Sequence, residues 1–419
     1  MAQITLKPRA LRSGALIAAC AGLSACASMK VPDNIEAVDA GGGYQAQYRE
    51  PARVSSKSRY LQSAQINQDK CLPYIGGEEM ASVAKWSGPD LGTLLGEKLS
   101  RGDIVQIAID EDEMLSGTYV VSRDGTLKLP YLAPVAAQGR STDQVERDLT
   151  QALMMADFYE QPPRLTVRIN DFASVTVGVS GAVFEAHAVQ IGGVSGDAVD
   201  RERQTNMGSS TEGRNLSAAL RAAGGVRPDA DLSAVELHRA GRRYQMDLRG
   251  VFEGSDPTDI MLLTGDEIVV KSRQCFQDDL MRPSPVSPPG VSLFLSNLTQ
   301  PATGNALSAI GRDVREVPYG TRYVQAVIDT NCVGGAKVSN ANRSAVLYSR
   351  NPVTQVSVVI ERNIEKLLRR GDRDDYDPYV LPGDAIACYD SKVTNLAEVG
   401  RIVGGVAGGV AGAALMLGN

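Results

Sequence analysis

The chain is poor in the groups most chemistry needs. It has two histidines in 419 residues, His187 and His238, far apart in sequence, and no Cys-x-x-Cys pair, so a zinc site has no ligand set. Neither histidine has a Ser or Cys partner in a nucleophile motif. No P-loop and no Gly-x-Gly-x-x-Gly opens a helix, so no phosphate cradle is predicted. Basic excess is also missing. The net charge is −6, and losing Lys7, Arg9 and Arg12 with an N-terminal signal takes it to −9, which argues against nucleic acid. Aromatic residues are only 5%, with one Trp and six Phe. Asp110, Glu111, Asp112 and Glu113 could be read as an acid pair for glycosidic cleavage. A strand-to-loop turn in solvent explains them more simply. The expectation is a protein that is not an enzyme and carries no cofactor and no metal.

Glycine and proline are plentiful, at 42 and 20, and point to turns and short strands rather than a helical bundle. The length suits two to four domains. The most informative stretch is 99–139. Val105, Ile107 and Ile109 alternate with Ile104, Gln106, Ala108 and Asp110, the period of a half-buried strand fed by a Gly102-Asp103 turn. A second strand is predicted at Thr118–Ser122. Arg123-Asp124-Gly125 then turns the chain back through Thr126–Leu129, stopped by Pro130. Ser141 or Thr142 caps a helix to Ala156, with Val145, Leu149, Ala152 and Leu153 on one face. Tyr159 and Pro162 end it, and Leu165–Ile169 alternates again.

Arg101-Gly102-Asp103, Gly117-Thr118-Tyr119-Val120-Val121, Asp124-Gly125 and Leu129-Pro130 together resemble the N-terminal domain of the Wza-like outer-membrane polysaccharide export family. From Ser174 a new pattern begins, read as two alternating strands about Gly178. It continues through a short helix at Leu216–Ala223, Gly224-Gly225, strands at Ala234–His238 and Arg243–Asp247, and a closing Gly265-Asp266. With Gly181, Val183 and Leu220 this resembles the SLBB module, a β-grasp-like unit. After a Pro-rich linker the pattern recurs through Cys332-Val333-Gly334-Gly335 and closes at Gly383-Asp384, so two copies of one fold are expected. The second copy lacks the opening Gly-x-Val element. It carries an added amphipathic stretch, Ile360–Arg370, whose Arg362, Lys366, Arg369 and Arg370 read as a solvated face.

Both ends read as membrane segments. Ala15–Leu23 is an apolar run too short to span a bilayer, behind a basic start, hence a signal. Leu23-Ser24-Ala25-Cys26 resembles the bacterial lipobox, which implies cleavage and diacylation (with palmitate among the chains) at Cys26. Ala27 at the next position implies delivery to the outer membrane. The alternative is plain cleavage near Ala25 with Cys26 a free thiol. At the other end Gly400, Gly404, Gly408 and Gly412 recur every fourth residue opposite a valine stripe, the pattern that lets membrane helices approach closely. The alternative there is a flexible Gly-rich tail or a single membrane-associated helix. Cys71, Cys275, Cys332 and Cys388 then remain in an oxidising compartment. Cys332 and Cys388 fall in one predicted domain, so they pair with each other and leave Cys71 with Cys275. Free buried thiols are the alternative.

The expected fold class is α+β. The domains are a signal peptide at 1–25, a lipidated tether and lead-in at 26–90 with Trp86 docked on the first domain, a small α/β polysaccharide-export domain at 91–172, a first SLBB-like domain at 173–274, a Pro-rich linker at 275–290, a second, divergent SLBB-like domain at 291–392, and a C-terminal transmembrane helix at 393–419. The family resemblance implies a ring-shaped homo-oligomer in the outer membrane, with its bulk in the periplasm. It implies a polysaccharide as the transported polymer and an inner-membrane polysaccharide co-polymerase as partner. The alternative function is a periplasmic glycan-binding lipoprotein that forms no pore.

Overall fold

A computed structural model describes residues 71–78, 86–89, 92, 94–192, 213–254, 259–297, 315–329, 344–369 and 377–389. The signal, Cys26, Cys332 and the glycine-rich segment with Gly400, Gly404, Gly408 and Gly412 lie outside the described residues. No helix among the described residues is long and apolar enough to cross a membrane.

Three hydrophobic cores follow one another along the chain. The first belongs to strands β2 (Ile104–Ile109), β3 (Asp112–Val120) and β6 (Leu165–Asp171), in sheet order β3-β2-β6, with a small β4 (Thr126–Leu127) and β5 (Val135–Ala136) pair beside them. Helix α1 (Thr142–Met155) covers the sheet with Val145, Leu149 and Leu153, which meet Val105, Ile107 and Ile109 in one core. Ser141 is the cap. Its side chain accepts from the Gln144 N–H, and the Gln144 side chain accepts in return from the Ser141 N–H at 3.0 Å, a reciprocal capping box. The second strand starts earlier than the sequence suggested, inside the acidic run. Glu111 turns with φ 62°, and the Asp112 carboxylate accepts from the N–H groups of Met114 and Leu115 at 2.8 and 3.0 Å. A side chain thus holds the backbone at the strand's start.

The second and third cores are built to one plan. In the second unit β7 (Val175–Gly181) pairs antiparallel with β8 (His187–Ile191). Helix α2 (Leu216–Ala222) crosses over, β9 (Ala230–Arg239) and β10 (Arg242–Met246) form a hairpin, and β11 (Glu267–Ser272) closes between β9 and β7, parallel to β7. In the third unit β12 (Val291–Asn297) pairs with β13 (Arg315–Val317). Helix α3 (Tyr323–Asp329) follows, β14 (Ser344–Arg350) and β15 (Ser357–Asn363) form a hairpin, and β16 (Ala385–Tyr389) closes between β14 and β12, parallel to β12. The strand orders 10-9-11-7-8 and 15-14-16-12-13 superpose element for element. In register, Gly178–Glu267–His238–Arg243 across the first of these sheets corresponds to Phe294–Ala385–Tyr348–Val359 across the second.

Several expectations are corrected. Residues 175–183 hold one strand, not two: β7 runs Val175–Gly181, and the antiparallel partner begins only at His187. Gly181 (φ 92°) marks that end because a Cβ there would sit 1.9 Å from the Val270 carbonyl oxygen. The Trp86 backbone belongs to the second unit rather than the first. With Ser87 it forms β1, the outermost strand of the second unit's sheet, paired to β10. The described lead-in also belongs to that unit, since the Ile75 and Gly76 N–H groups donate to Asp231 and Ser233. The Tyr74 ring lies 3.4 and 4.7 Å from the Arg273 and Arg249 guanidinium carbons. The Pro-rich segment 275–290 that joins the second and third units is packed against both. Phe276 and Met281 enter the third core, and Leu280 and Val286 enter the second. The stretch 360–370 is a solvated helical face only in part: Lys366 is exposed, Arg362 is not, and Arg370 lies outside the described residues. Ile360–Asn363 completes β15, the helix α4 is only Ile364–Arg369, and Arg362 is buried at 2% exposure.

Candidate functional site

One local motif occurs three times, each time at the start of the strand that organises a unit. Ser100–Asp103 leads into β2, Leu263–Asp266 into β11, and Leu381–Asp384 into β16. In each, the glycine has positive φ (85°, 92° and 86°), and the aspartate N–H donates to the carbonyl three residues back at 3.1–3.2 Å. The aspartate carboxylate in turn accepts from that same residue's N–H, at 2.7, 2.8 and 2.9 Å. The turn type needs positive φ at its third position, which glycine adopts without a steric penalty. The aspartate then satisfies the amide the turn would leave buried and unpaired.

The first two turns meet each other. The Thr264 N–H donates to the Ser100 hydroxyl at 3.1 Å, and the Gln138 amide donates to the Thr264 carbonyl at 3.3 Å. Below them Asp103, fully buried, also accepts from the Ala173 N–H at 2.9 Å and from Arg214 at 2.7 Å. Arg214 comes from the second unit, is 1% exposed, donates to the Leu262 carbonyl at 3.0 Å and lies over the Phe172 ring. The first unit is thereby joined to the second by a buried ion pair between the Asp103 turn and Arg214, the residue before the Asn215 cap of α2. Burial pushes the Asp103 carboxyl above its ordinary range, against the pull of Arg214 and of the Ser100 and Ala173 amides. Asp266 has the matching partner within its own unit, a bidentate Arg239 with contacts of 3.0 and 2.6 Å. The sequence singled out the Gly-Asp pairs as turns. It carried no sign of Arg214 or Arg239, because their partners lie 111 and 27 residues away.

The opposite character marks Tyr131. It follows Leu129-Pro130, has φ 60°, and is 83% exposed. Leu132 N–H donates back to Leu129, so Tyr131 occupies the turn position that usually takes glycine or asparagine. A bulky residue held there at a cost of about 1–2 kcal/mol, with its ring in solvent, is presented rather than packed. Pro130 was the only hint of it in the sequence.

The acidic run forms the turn out of β2 and the start of β3. Asp112 accepts a short hydrogen bond from the Tyr159 hydroxyl, which with its two amides lowers its pKa, and burial together with Asp112 pushes Tyr159 up to about 12. His187 contacts the Glu185 carbonyl and His238 the Glu236 carboxylate. No group of three His, Cys, Asp or Glu side chains able to hold a metal occurs among the described residues. Cys71 and Cys275 form a disulfide with Cα atoms 5.0 Å apart. Cys388 is disulfide-bonded as well.

Residues 96–170 match the family model of polysaccharide biosynthesis/export proteins. The chain is 26% identical over 255 residues to the EPS I polysaccharide export outer membrane protein EpsA of Ralstonia solanacearum, covering 59% of this chain and 61% of that protein. The match therefore spans less than two thirds of the relative. The matched region contains the Gly102-Asp103 turn, β2, β3, the Tyr131 turn, α1 and most of β6. Residues 96–170 are thus similar to the polysaccharide biosynthesis/export protein family, and the wider chain is similar to an outer-membrane polysaccharide export protein.

Proposed function

We propose that this chain is an outer-membrane lipoprotein, acylated at Cys26, that assembles as a ring and conducts a polysaccharide out of the cell. The match of residues 96–170 to the export family carries this reading. The export domain forms the periplasmic entrance and meets an inner-membrane co-polymerase there. The two topologically identical units, read as SLBB-like modules, form the body. The segment with Gly400, Gly404, Gly408 and Gly412 crosses the outer membrane. The chain supplies no reaction. It supplies a lumen and a rigidly positioned entrance, and Tyr131 offers the polymer an exposed aromatic face.

The test pairs conductance with secretion. Planar bilayers with the purified oligomer should show pores, and deletion of 395–419 should abolish them. Pores that survive the deletion would refute the pore assignment. Tyr131→Asn suits the left-handed turn better than tyrosine. It should leave the fold at least as stable while secreted polymer falls, measured in a strain complemented with the variant. Unchanged secretion would remove Tyr131 from the polymer's path.

A second reading, a glycan-binding lipoprotein without a pore, is favoured by one observation. The cross-sheet row of the second unit is polar, and its His238 and Arg243, together with Lys271, pair with Glu236. The same row of the third unit presents Phe294 at 56% and Tyr348 at 39% exposure, two strands apart. Under this reading Phe294→Ala would weaken polymer binding by an oligomer that gives no conductance.

A further inference from the structure

The Cys71–Cys275 disulfide has a mechanical consequence. It closes a covalent loop over a sequence separation of 204. The loop contains the export domain and the strands of the second unit, from β1 through β11. Tension entering from the N-terminal side reaches Cys71, crosses directly to Cys275, and continues into residues 276–290 and β12. It bypasses the backbone of residues 72–274. We propose that this disulfide is a load bypass, which keeps the export domain and the second unit out of the force path and routes tension along the chain into the third unit.

The third unit is arranged to take that load. Force enters at Val291, the first residue of β12, and leaves at Tyr389, the last of β16. These two strands are adjacent and parallel, paired from Phe294↔Ala385 to Asn297↔Cys388. Pulling one parallel strand by its start and the other by its end slides them past each other. The ladder bonds between them are then strained together rather than opened one at a time. The second unit has the same parallel pair, β7 and β11, but its ends lie inside the loop. The lead-in contacts are arranged to hold Cys71 in place: the Leu72 N–H donates to the Arg273 carbonyl, and Arg273 donates to the Leu72 carbonyl, each at 2.9 Å. That the tension arises between two membrane attachments rests on the anchored reading of the chain. The load path rests only on the disulfide and the strand order.

Single-molecule pulling of the full chain by its two ends tests this. The native chain should stretch without ever releasing residues 72–274. C71S/C275S should reach a contour length longer by about 700 Å, the extended span of the freed residues. A native chain as long as the variant would overturn the proposal. If the double variant does not fold, the native chain is pulled before and after adding reductant. Reduction must add at least that same length, since it also opens the Cys388 disulfide; a smaller gain would overturn the bypass. The proposal fails separately from the conduit reading, because neither measurement involves polysaccharide or a membrane.

Discussion

Replacing Asp103 by alanine should undock the export domain rather than unfold it. The carboxylate accepts three hydrogen bonds, from the Ser100 and Ala173 amides and from Arg214. Losing the two amide bonds costs roughly 1 kcal/mol each. The larger cost is the stranded guanidinium. Arg214 is 1% exposed and keeps only carbonyl and ring contacts, and breaking a buried pair from one side costs about 3–5 kcal/mol. The expected penalty is about 5 kcal/mol. Burial already holds the Asp103 carboxyl above its ordinary pKa, so ionisation at this group lowers stability as pH rises through the carboxylate range. Desolvation of two buried charges offsets much of their attraction, so removing both charges, D103A/R214M, should recover about 1–3 kcal/mol of the single-variant loss. Urea unfolding followed by hydrogen exchange reads this out. D103A should give a separate, early transition confined to residues 96–170. D266A, whose Arg239 partner lies inside the second unit, should destabilise that unit as a whole. A D103A penalty below about 1 kcal/mol, or strictly additive single and double variants, would refute the reasoning.

Glu236 is nearly buried, and although burial pushes its pKa up, Lys271 and His238 hold it at about 2. Its folded value is thus depressed, so its contribution is present above the usual carboxylate range and is lost as pH falls toward 2. With partly exposed partners this amounts to about 1–3 kcal/mol, and E236Q should flatten the acid limb of a stability–pH profile. Gly181→Ala places a methyl group 1.9 Å from the Val270 oxygen. It should cost more than about 3 kcal/mol or prevent folding, read as loss of soluble protein or a large drop in melting temperature. C71S/C275S should lose about 5 kcal/mol on the loop-entropy estimate for a separation of 204 residues, measured by denaturant unfolding with and without reductant.

The parts of the fold readable from sequence were those written locally. Alternation gave β2, helical spacing gave α1, and Gly-Asp pairs marked three turns, because each signal lies within a few residues of the structure it specifies. Misreadings fell where a distant segment decides the outcome. Ile360–Arg370 has helical spacing, yet its first half pairs with β14, and Arg362 ends up buried. Trp86 and residues 71–78 look like irregular tether, but β10 and the side chains of Asp231, Ser233 and Arg249 supply their partners more than 150 residues later. Proline spacing suggested a linker but not its packing: Gly225 approaches so closely that a Cβ there would lie 2.3 Å from the Pro288 nitrogen. Composition alone does not report such contacts.

The docking contact combines both kinds of signal. Three turns share one backbone solution, and in the first two the aspartate then pairs with an arginine. Only the choice of arginine differs: Asp266 takes Arg239 from the strand beside it, and Asp103 takes Arg214 from the next unit. A turn that closes a unit on itself and a turn that joins two units are the same local structure. What separates them is where the guanidinium originates. Moving the arginine, rather than altering the turn, is therefore the change that should convert a docking contact into an internal one. R214M with a compensating arginine on the export domain's own β6, within reach of Asp103, should restore that domain's stability without restoring its attachment. Recovery of both together would mean that the junction is held by the turn contacts at Ser100 and Thr264, and not by the buried pair.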